Sequence, residues 1–106
     1  DLSDASSDEK SIFLGYSAGV NDDGANYNTC IGYKAAFFNT SGTFNNSLGY
    51  NSLYSNSSGQ NNVAIGAFSL YSNTTGSKNV ALGNNTNYFN QEGSQNVMLG
   101  NEAGKG

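Results

Sequence analysis

The amino-acid sequence repeats every 17 residues, and this period limits the possible folds more than any other feature. A Leu-Gly or Ile-Gly pair recurs at this spacing without insertion or deletion, with its glycines at Gly15, Gly32, Gly49, Gly66, Gly83 and Gly100. An asparagine stands four residues before each glycine from the second onward, at Asn28, Asn45, Asn62, Asn79 and Asn96. Because several columns keep one phase throughout, the sequence predicts a repeat protein.

A unit of 17 residues is too short for helical repeats, which generally need about 30 residues or more for two helices and their turns. A coiled coil would require apolar residues at heptad spacing, and two glycines per unit would destabilise its helices. The remaining solution is an all-β fold, a parallel β-solenoid (β-roll) of about six coils, in which equivalent positions stack about 4.8 Å apart.

The repeat region is predicted to span residues 11–106, after an acidic non-repeat leader at residues 1–10. The leader carries four acidic residues and one lysine, whereas the repeats carry four acidic residues and three lysines. Few charges are expected in the repeats, because like charges on adjacent strands repel. The leader is interpreted as a separate mobile segment or a cap. The last repeat strand is followed by few residues, which suggests either a piece of a longer array or an edge covered head to tail by the next molecule.

Each coil is expected to contain two strands. In the first, as at Val63-Ala64-Ile65, alternation predicts that Val63 and Ile65 face the coil interior. The middle position is also small or apolar, so another chain is expected to cover the outer face. The second strand is predicted at residues 35–38, 52–55, 69–72 and 86–89, and the sequence leaves open which of its faces is inward.

Two kinds of side-chain ladder are predicted. The aromatic column at Phe37, Tyr54, Tyr71 and Tyr88 is expected to stack. The asparagines that precede the glycine pairs are expected to bond amide to amide along the stack. Glycine at the corners is expected because it permits positive φ without steric cost.

Asn39, Asn56 and Asn73 each begin an Asn-x-Ser/Thr sequence on a turn predicted to be exposed. One interpretation is covalent glycosylation of these asparagines or of the neighbouring hydroxyls. The other is that turns simply favour Asn, Ser and Thr. Asn45 and Asn84 begin sequences of the same type.

Asp22-Asp23-Gly24 is compatible with a calcium loop, but no other unit carries Asp at these positions. A turn without metal is therefore favoured, and no cofactor is expected. Cys30 occupies the middle of a strand and is interpreted as a small buried residue rather than a reactive thiol.

The composition argues against several function classes. The chain has no His and one Cys, which excludes a Ser-His-Asp triad, a His-ligated metal centre and a multi-cysteine zinc site. Four lysines, no arginine and eight acidic residues argue against a nucleic-acid partner. No run of about twenty apolar residues is present, so no membrane span is predicted. Glu92 and Glu102 fall on turns of different coils, and a thin coil offers no catalytic pocket, so an enzyme is not expected.

The unit Asn62-Val63-Ala64-Ile65-Gly66, followed by residues 70–76, resembles the head repeats of trimeric autotransporter adhesins and related repeats of phage tail fibres and bacterial surface proteins. The resemblance covers roughly residues 11–106. It implies a parallel β-roll with three chains side by side, an extracellular or cell-surface location, and binding to host surfaces. The matching positions are architectural, so no binding residue is carried over.

The favoured interpretation of function is an extracellular structural protein that forms a fibre by coil-on-coil stacking. Its partner is then a second copy, placed head to tail or side by side. The alternative is an adhesin or phage-type receptor-binding module that contacts cell-surface glycans. That alternative predicts a binding patch where the pattern is irregular, at Asp22-Asp23 and at Phe37, Phe38 and Phe44.

Overall fold

A computed structural model describes residues 10–24 and 26–105, together with the backbone of Ala5–Ser6. In this part of the chain there are strands and turns and no helix. The strands are β1 (Ala5–Ser6), β2 (Ile12–Leu14), β3 (Thr29–Ile31), β4 (Asn46–Leu48), β5 (Val63–Ile65), β6 (Val80–Leu82) and β7 (Val97–Leu99).

Strands β2 to β7 form one parallel sheet in sequence order. Each residue pairs with the residue 17 positions later, as in Val63 with Val80 and Ile65 with Leu82. The chain therefore winds as a β-solenoid of about five turns, which confirms the predicted fold class. The molecule measures 35 × 25 × 15 Å.

β1 pairs antiparallel with β2, with Ala5 opposite Leu14 and Ser6 opposite Phe13. This part of the predicted leader thus lies along the outer edge of the first coil. The part of that edge at Phe13 and Leu14 is paired within the chain, which removes it as a template for another strand. The remaining leader positions, 1–4 and 7–9, lie outside the described residues.

The interior of the coil is lined by the middle position of each strand. Phe13, Cys30, Ser47, Ala64 and Ala81 are buried. The prediction that Val63 and Ile65 face the interior is wrong, since Ile65 is 41% exposed and Val63 is only half-buried.

The width of the coil explains this reversal. The Ser47 hydroxyl donates to the carbonyl of Ser52 on the opposite wall at 3.0 Å, and the Ser69 hydroxyl reaches the Ala81 carbonyl at the same distance. The gap between the two walls is therefore narrow enough for a single hydrogen bond to span it. Because Leu53 and Leu70 from the opposite wall already fill the interior beside Ala64 and Ala81, the middle strand position there has room only for a small side chain. The larger aliphatic side chains of these strands lie outside.

The predicted second strand is a turn segment instead. In the third coil Asn51 and Leu53 have φ values of 54° and 52°, and the same two positions are left-handed in the other coils. The Asn51 N–H donates to Tyr33 of the preceding coil and the Leu53 N–H to Ser69 of the following coil. Because the left-handed residues break the strand alternation, Ser52 and Leu53 are both buried, which answers the question of the inward face.

The glycine that follows each strand permits close contact between coils. Gly66 has φ of 124°, and a Cβ placed on it would lie 2.5 Å from the carbonyl oxygen of Gly83 in the next coil. Both the backbone angle and the contact require glycine. The invariance of this column within the chain therefore has a steric cause.

Two buried asparagine columns bond the coils together. In the predicted ladder column, the backbone N–H of Asn45 donates to Asn28 Oδ1 at 2.9 Å and that of Asn62 to Asn45 Oδ1 at 3.0 Å. The predicted amide-to-amide bond occurs in this column from Asn96 Nδ2 to Asn79 Oδ1. Elsewhere in it the amide nitrogens donate to glycine carbonyls, as from Asn45 to Gly59.

The continuous amide-to-amide ladder lies in a second column. Asn56 Nδ2 donates to Asn39 Oδ1 at 2.7 Å, Asn73 to Asn56 at 2.8 Å, and Asn90 to Asn73 at 3.0 Å. Each of these amides also donates to the glycine carbonyl three residues later, such as Gly59 for Asn56. All the donors in this ladder point toward the first coil.

Candidate interaction surfaces

The outward positions of β2 to β7 form an apolar surface, here called the sheet face. Ten of its twelve residues are aliphatic, the exceptions being Thr29 and Asn46, and none is charged. Val97 is 66% exposed and Leu99 61%, and Ile12, Leu48 and Ile65 are also exposed. Contiguous exposed apolar surfaces are typical of interaction sites. Side-chain size in the sequence could have identified these outward positions, because the small residues occupy the middle position of most strands.

A row of exposed tyrosines follows the glycine column in the first three coils. The rings of Tyr16 and Tyr33 stack with centroids 5.6 Å apart, and those of Tyr33 and Tyr50 at 5.1 Å. Because these rings stack in register, equivalent turn residues of successive coils lie next to each other, as the strand residues do. The row extends the apolar character of the surface beyond the strands.

The predicted aromatic ladder is confirmed. Ring centroids are 5.4 Å apart between Phe37 and Tyr54, 5.1 Å between Tyr54 and Tyr71, and 4.9 Å between Tyr71 and Tyr88. Burial in this stack, with the neighbouring phenols Tyr88, Tyr54 and Tyr50, raises the pKa of Tyr71 above its ordinary value.

Lysine ammonium groups lie against these rings. Lys34 Nζ is 5.3 Å from the ring centroids of both Tyr33 and Phe37, and Lys105 Nζ is 6.0 Å from that of Tyr88. A hydrogen bond with Tyr33, and the charge that Tyr33 can carry, raise the pKa of Lys34. These cations are held by aromatic faces and do not form a basic patch with one another.

The glycosylation candidates Asn39, Asn56 and Asn73 are buried, so the prediction that they lie on an exposed turn is wrong. The amide nitrogen of each makes two hydrogen bonds, as from Asn56 to Asn39 and Gly59. A glycan on Nδ2 would break one of these bonds and would not fit the interior. These turn asparagines instead form the buried amide ladder. Of the two further sequons, Asn45 is buried and Asn84 is exposed.

Asp22 occupies the first position of the buried amide ladder. Its Oδ1 accepts from the Nδ2 atoms of Asn39 at 2.8 Å, Asn28 at 3.1 Å and Asn26 at 3.2 Å. An acceptor is needed here because every donor in the ladder points this way. These three bonds make Asp22 Oδ1 the terminal acceptor of the ladder, whereas its Oδ2 is buried without a hydrogen-bond partner.

The described residues include four carboxylates, at Asp22, Asp23, Glu92 and Glu102. Glu92 and Glu102 are exposed on turns. No three His, Cys, Asp or Glu side chains within the described ranges are grouped closely enough to hold a metal ion. The same part of the chain contains no helix able to cross a membrane.

Cys30 is fully buried in the middle strand position. Burial raises the pKa of its thiol to about 12, and the nearby charge of Asp22 acts in the same direction. A neutral, enclosed thiol is a poor nucleophile, which agrees with the interpretation of Cys30 as a packing residue.

The Cys30 thiol makes stability depend on alkaline pH. The folded state retains a proton that the unfolded chain releases above about pH 9, so stability falls as pH rises from about 9 to 12. At pH 10.5 the expected loss is about 2 kcal/mol relative to Cys30→Ala, which matches the alanines of the same column. Urea unfolding of both proteins at pH 7 and pH 10.5 measures this difference. An identical pH dependence for both would show that the thiol ionises as easily folded as unfolded.

No protein-family model, curated protein or solved structure matches this chain.

Proposed function

We propose that this chain is a structural module of an extracellular fibre, in which rods associate side by side through the sheet face. The sheet face is the observation that carries the proposal. It follows the whole stack from Ile12 to Leu99, it is apolar, and it has no covering element among the described residues. Leaving such a surface in water is unfavourable at about 25 cal/mol per Å².

A second copy of the chain is the occupant that fits this face best. Each coil presents the same outward pair of positions, so two copies in register bring equivalent aliphatic side chains together at every layer. The face has no charge that would require a charged partner or that would repel an identical one. Adjacent coils are about 4.8 Å apart in every copy, so the two surfaces have the same repeat distance.

Side-by-side association is favoured over head-to-tail stacking by the arrangement of the first coil. Head-to-tail stacking requires a free edge on β2, and β1 occupies part of that edge through Ala5 and Ser6. The sheet face requires no such displacement. The location outside the cell or at its surface rests on the likeness of the Asn-x-x-Ile-Gly unit to adhesin and phage-fibre repeats.

The proposal predicts that a charge on the sheet face abolishes self-association. Ile65→Lys places an ammonium group at an exposed outward position, where it would have to be desolvated in an assembly. Sedimentation velocity should show a wild-type oligomer and a monomeric variant with unchanged circular dichroism. Gln60→Lys adds the same charge on an exposed turn and should leave the oligomer intact. A monomeric wild-type chain at about 100 μM would contradict the proposal, since that concentration detects even weak association.

The alternative function, an adhesin or receptor-binding module, is favoured by the exposed rings of Phe38 and Phe44 in the irregular early coils. Large exposed aromatic residues are typical of binding surfaces. Cell or glycan binding that survives Ile65→Lys and is lost in Phe38→Ser with Phe44→Ser would favour this function over a purely structural one.

A further inference from the structure

A small cavity opens on the turn side of the later coils. It has a volume of about 250 Å³ and is lined by Phe68, Asn85, Tyr88, Phe89 and Lys105. None of these residues belongs to the sheet face. The cavity is therefore separate from the surface proposed for self-association.

The cavity arises where the residue type changes in two repeat columns. The column that contains Lys34 and Asn51 has the large ring of Phe68 in the fourth coil and the short amide of Asn85 in the fifth. The aromatic ladder stops at Tyr88, and Lys105 takes the next position. A long ring above a short amide, beside a ladder that ends, leaves a space between these side chains.

The walls of the cavity are aromatic in more than one orientation. The Tyr88 and Phe89 rings are 4.8 Å apart and inclined at 70°, and the Phe68 ring is 6.1 Å from Tyr88 and inclined at 43°. Phe89 is 63% exposed. Rings at these angles line an open depression instead of packing face to face, so ring surface remains available to a ligand.

The polar groups at the cavity are the amide of Asn85 and the ammonium group of Lys105, which is paired with a carboxylate. Asn85 offers both a donor and an acceptor. Lys105 Nζ lies 3.5 Å from Glu102 Oε1 and also faces the Tyr88 ring. Because Glu102 balances the lysine charge, the site has hydrogen-bonding groups without a net charge that would select an anion.

We propose that this cavity binds a single neutral pyranose ring, such as a terminal sugar of a glycan. The C–H groups on the face of a pyranose pack on aromatic rings, and its hydroxyls bond to amide, ammonium and carboxylate groups. The volume suits one sugar ring and is below the range typical of drug-sized ligands. Concave aromatic walls with a few polar groups are the general form of a small-molecule site.

The test is a titration of ¹⁵N-labelled full chain with methyl glycosides of glucose, galactose, mannose and N-acetylglucosamine, up to about 50 mM, since a single ring in an open site is expected to bind in the millimolar range. At least one glycoside should shift the amide resonances of Asn85, Phe89 and Lys105. Phe89→Ala, at an exposed position that leaves folding intact, should weaken binding about tenfold or more. Tyr16→Ala, at a comparably exposed ring in the first coil, is the matched control and should leave it unchanged.

Two results would overturn the proposal. One is the absence of any shift with all four glycosides. The other is equal or tighter binding of methyl glucuronide or benzoate, which would identify an anion or a planar ring as the preferred ligand. Ile65→Lys should retain sugar binding, so failure of self-association and failure of this site are distinguishable.

Discussion

Replacing Gly66 with alanine is expected to destabilise the fold by about 3–5 kcal/mol, which places it among the most damaging single substitutions in this chain. The new Cβ would lie 2.5 Å from the Gly83 carbonyl oxygen and 2.6 Å from its carbon, and the φ of 124° is unfavourable for any L side chain. The two coils would have to separate, which stretches the hydrogen bonds on both sides. Urea unfolding followed by circular dichroism measures the loss.

Gly100→Ala is the matched control for Gly66→Ala. Gly100 has a similar φ of 115°, but the nearest atom to an added Cβ is Ala103 Cβ at 3.9 Å. This variant has the backbone strain without the clash, and its expected cost is about 1–2 kcal/mol. Equal losses for the two variants would mean that backbone strain alone explains the glycine column and that the coils are not in close contact.

The second large effect is expected for Asn56→Asp. The Asn56 amide nitrogen donates to Asn39 Oδ1 at 2.7 Å and to the Gly59 carbonyl at 3.0 Å. A carboxylate in its place would set a buried anion against two acceptors, so a loss of about 4 kcal/mol or more is expected at pH 7. Acidification to about pH 3 should recover part of the loss, because a protonated carboxyl can donate again.

Asn61→Asp is the control for this substitution. Asn61 is exposed, and its left-handed φ of 57° is one that Asp also tolerates. Its expected effect is within about 0.5 kcal/mol. A comparable loss in both variants, measured by urea unfolding at pH 7, would contradict the ladder as the cause.

Asp22 and Asn56 occupy the same repeat column, and the comparison explains why one position accepts a carboxylate. At Asp22 three amide N–H groups point at Oδ1. At Asn56 one amide, that of Asn73, donates to the side chain, and two acceptors face its nitrogen. The direction of the ladder, rather than burial alone, decides where a negative charge is stable.

The repeat period was sufficient to predict the solenoid and its register, because a 17-residue unit leaves few other solutions. The period was not sufficient to predict which side chains of the strand face the interior. Val63, Ala64 and Ile65 are all apolar, so alternation could not distinguish inside from outside. The narrow gap between the walls decides it in favour of the small Ala64, and that gap depends on the whole coil.

The turn segment and the buried asparagines were beyond sequence reasoning for a different reason. Leu53 and Leu70 adopt left-handed φ values that leucine rarely takes, so no local preference could reveal them. Inter-coil hydrogen bonds, such as that from Leu53 N–H to Ser69, hold them there. Asn39, Asn56 and Asn73 satisfy a turn motif and a buried ladder equally well in sequence, and only the stacking of coils distinguishes the two.

The stacking of residues 17 apart is tested most directly by nuclear Overhauser effects between interior methyl groups. Ala64 pairs with Ala81 in the sheet, and both are fully buried, so a contact between them arises within one chain. Strands about 4.8 Å apart predict a strong cross-peak between the two methyl groups, with a further one from Ala64 to the β protons of Ser47. Cross-peaks from Ala64 to neither residue would mean that successive repeats do not lie side by side, and the solenoid would be excluded.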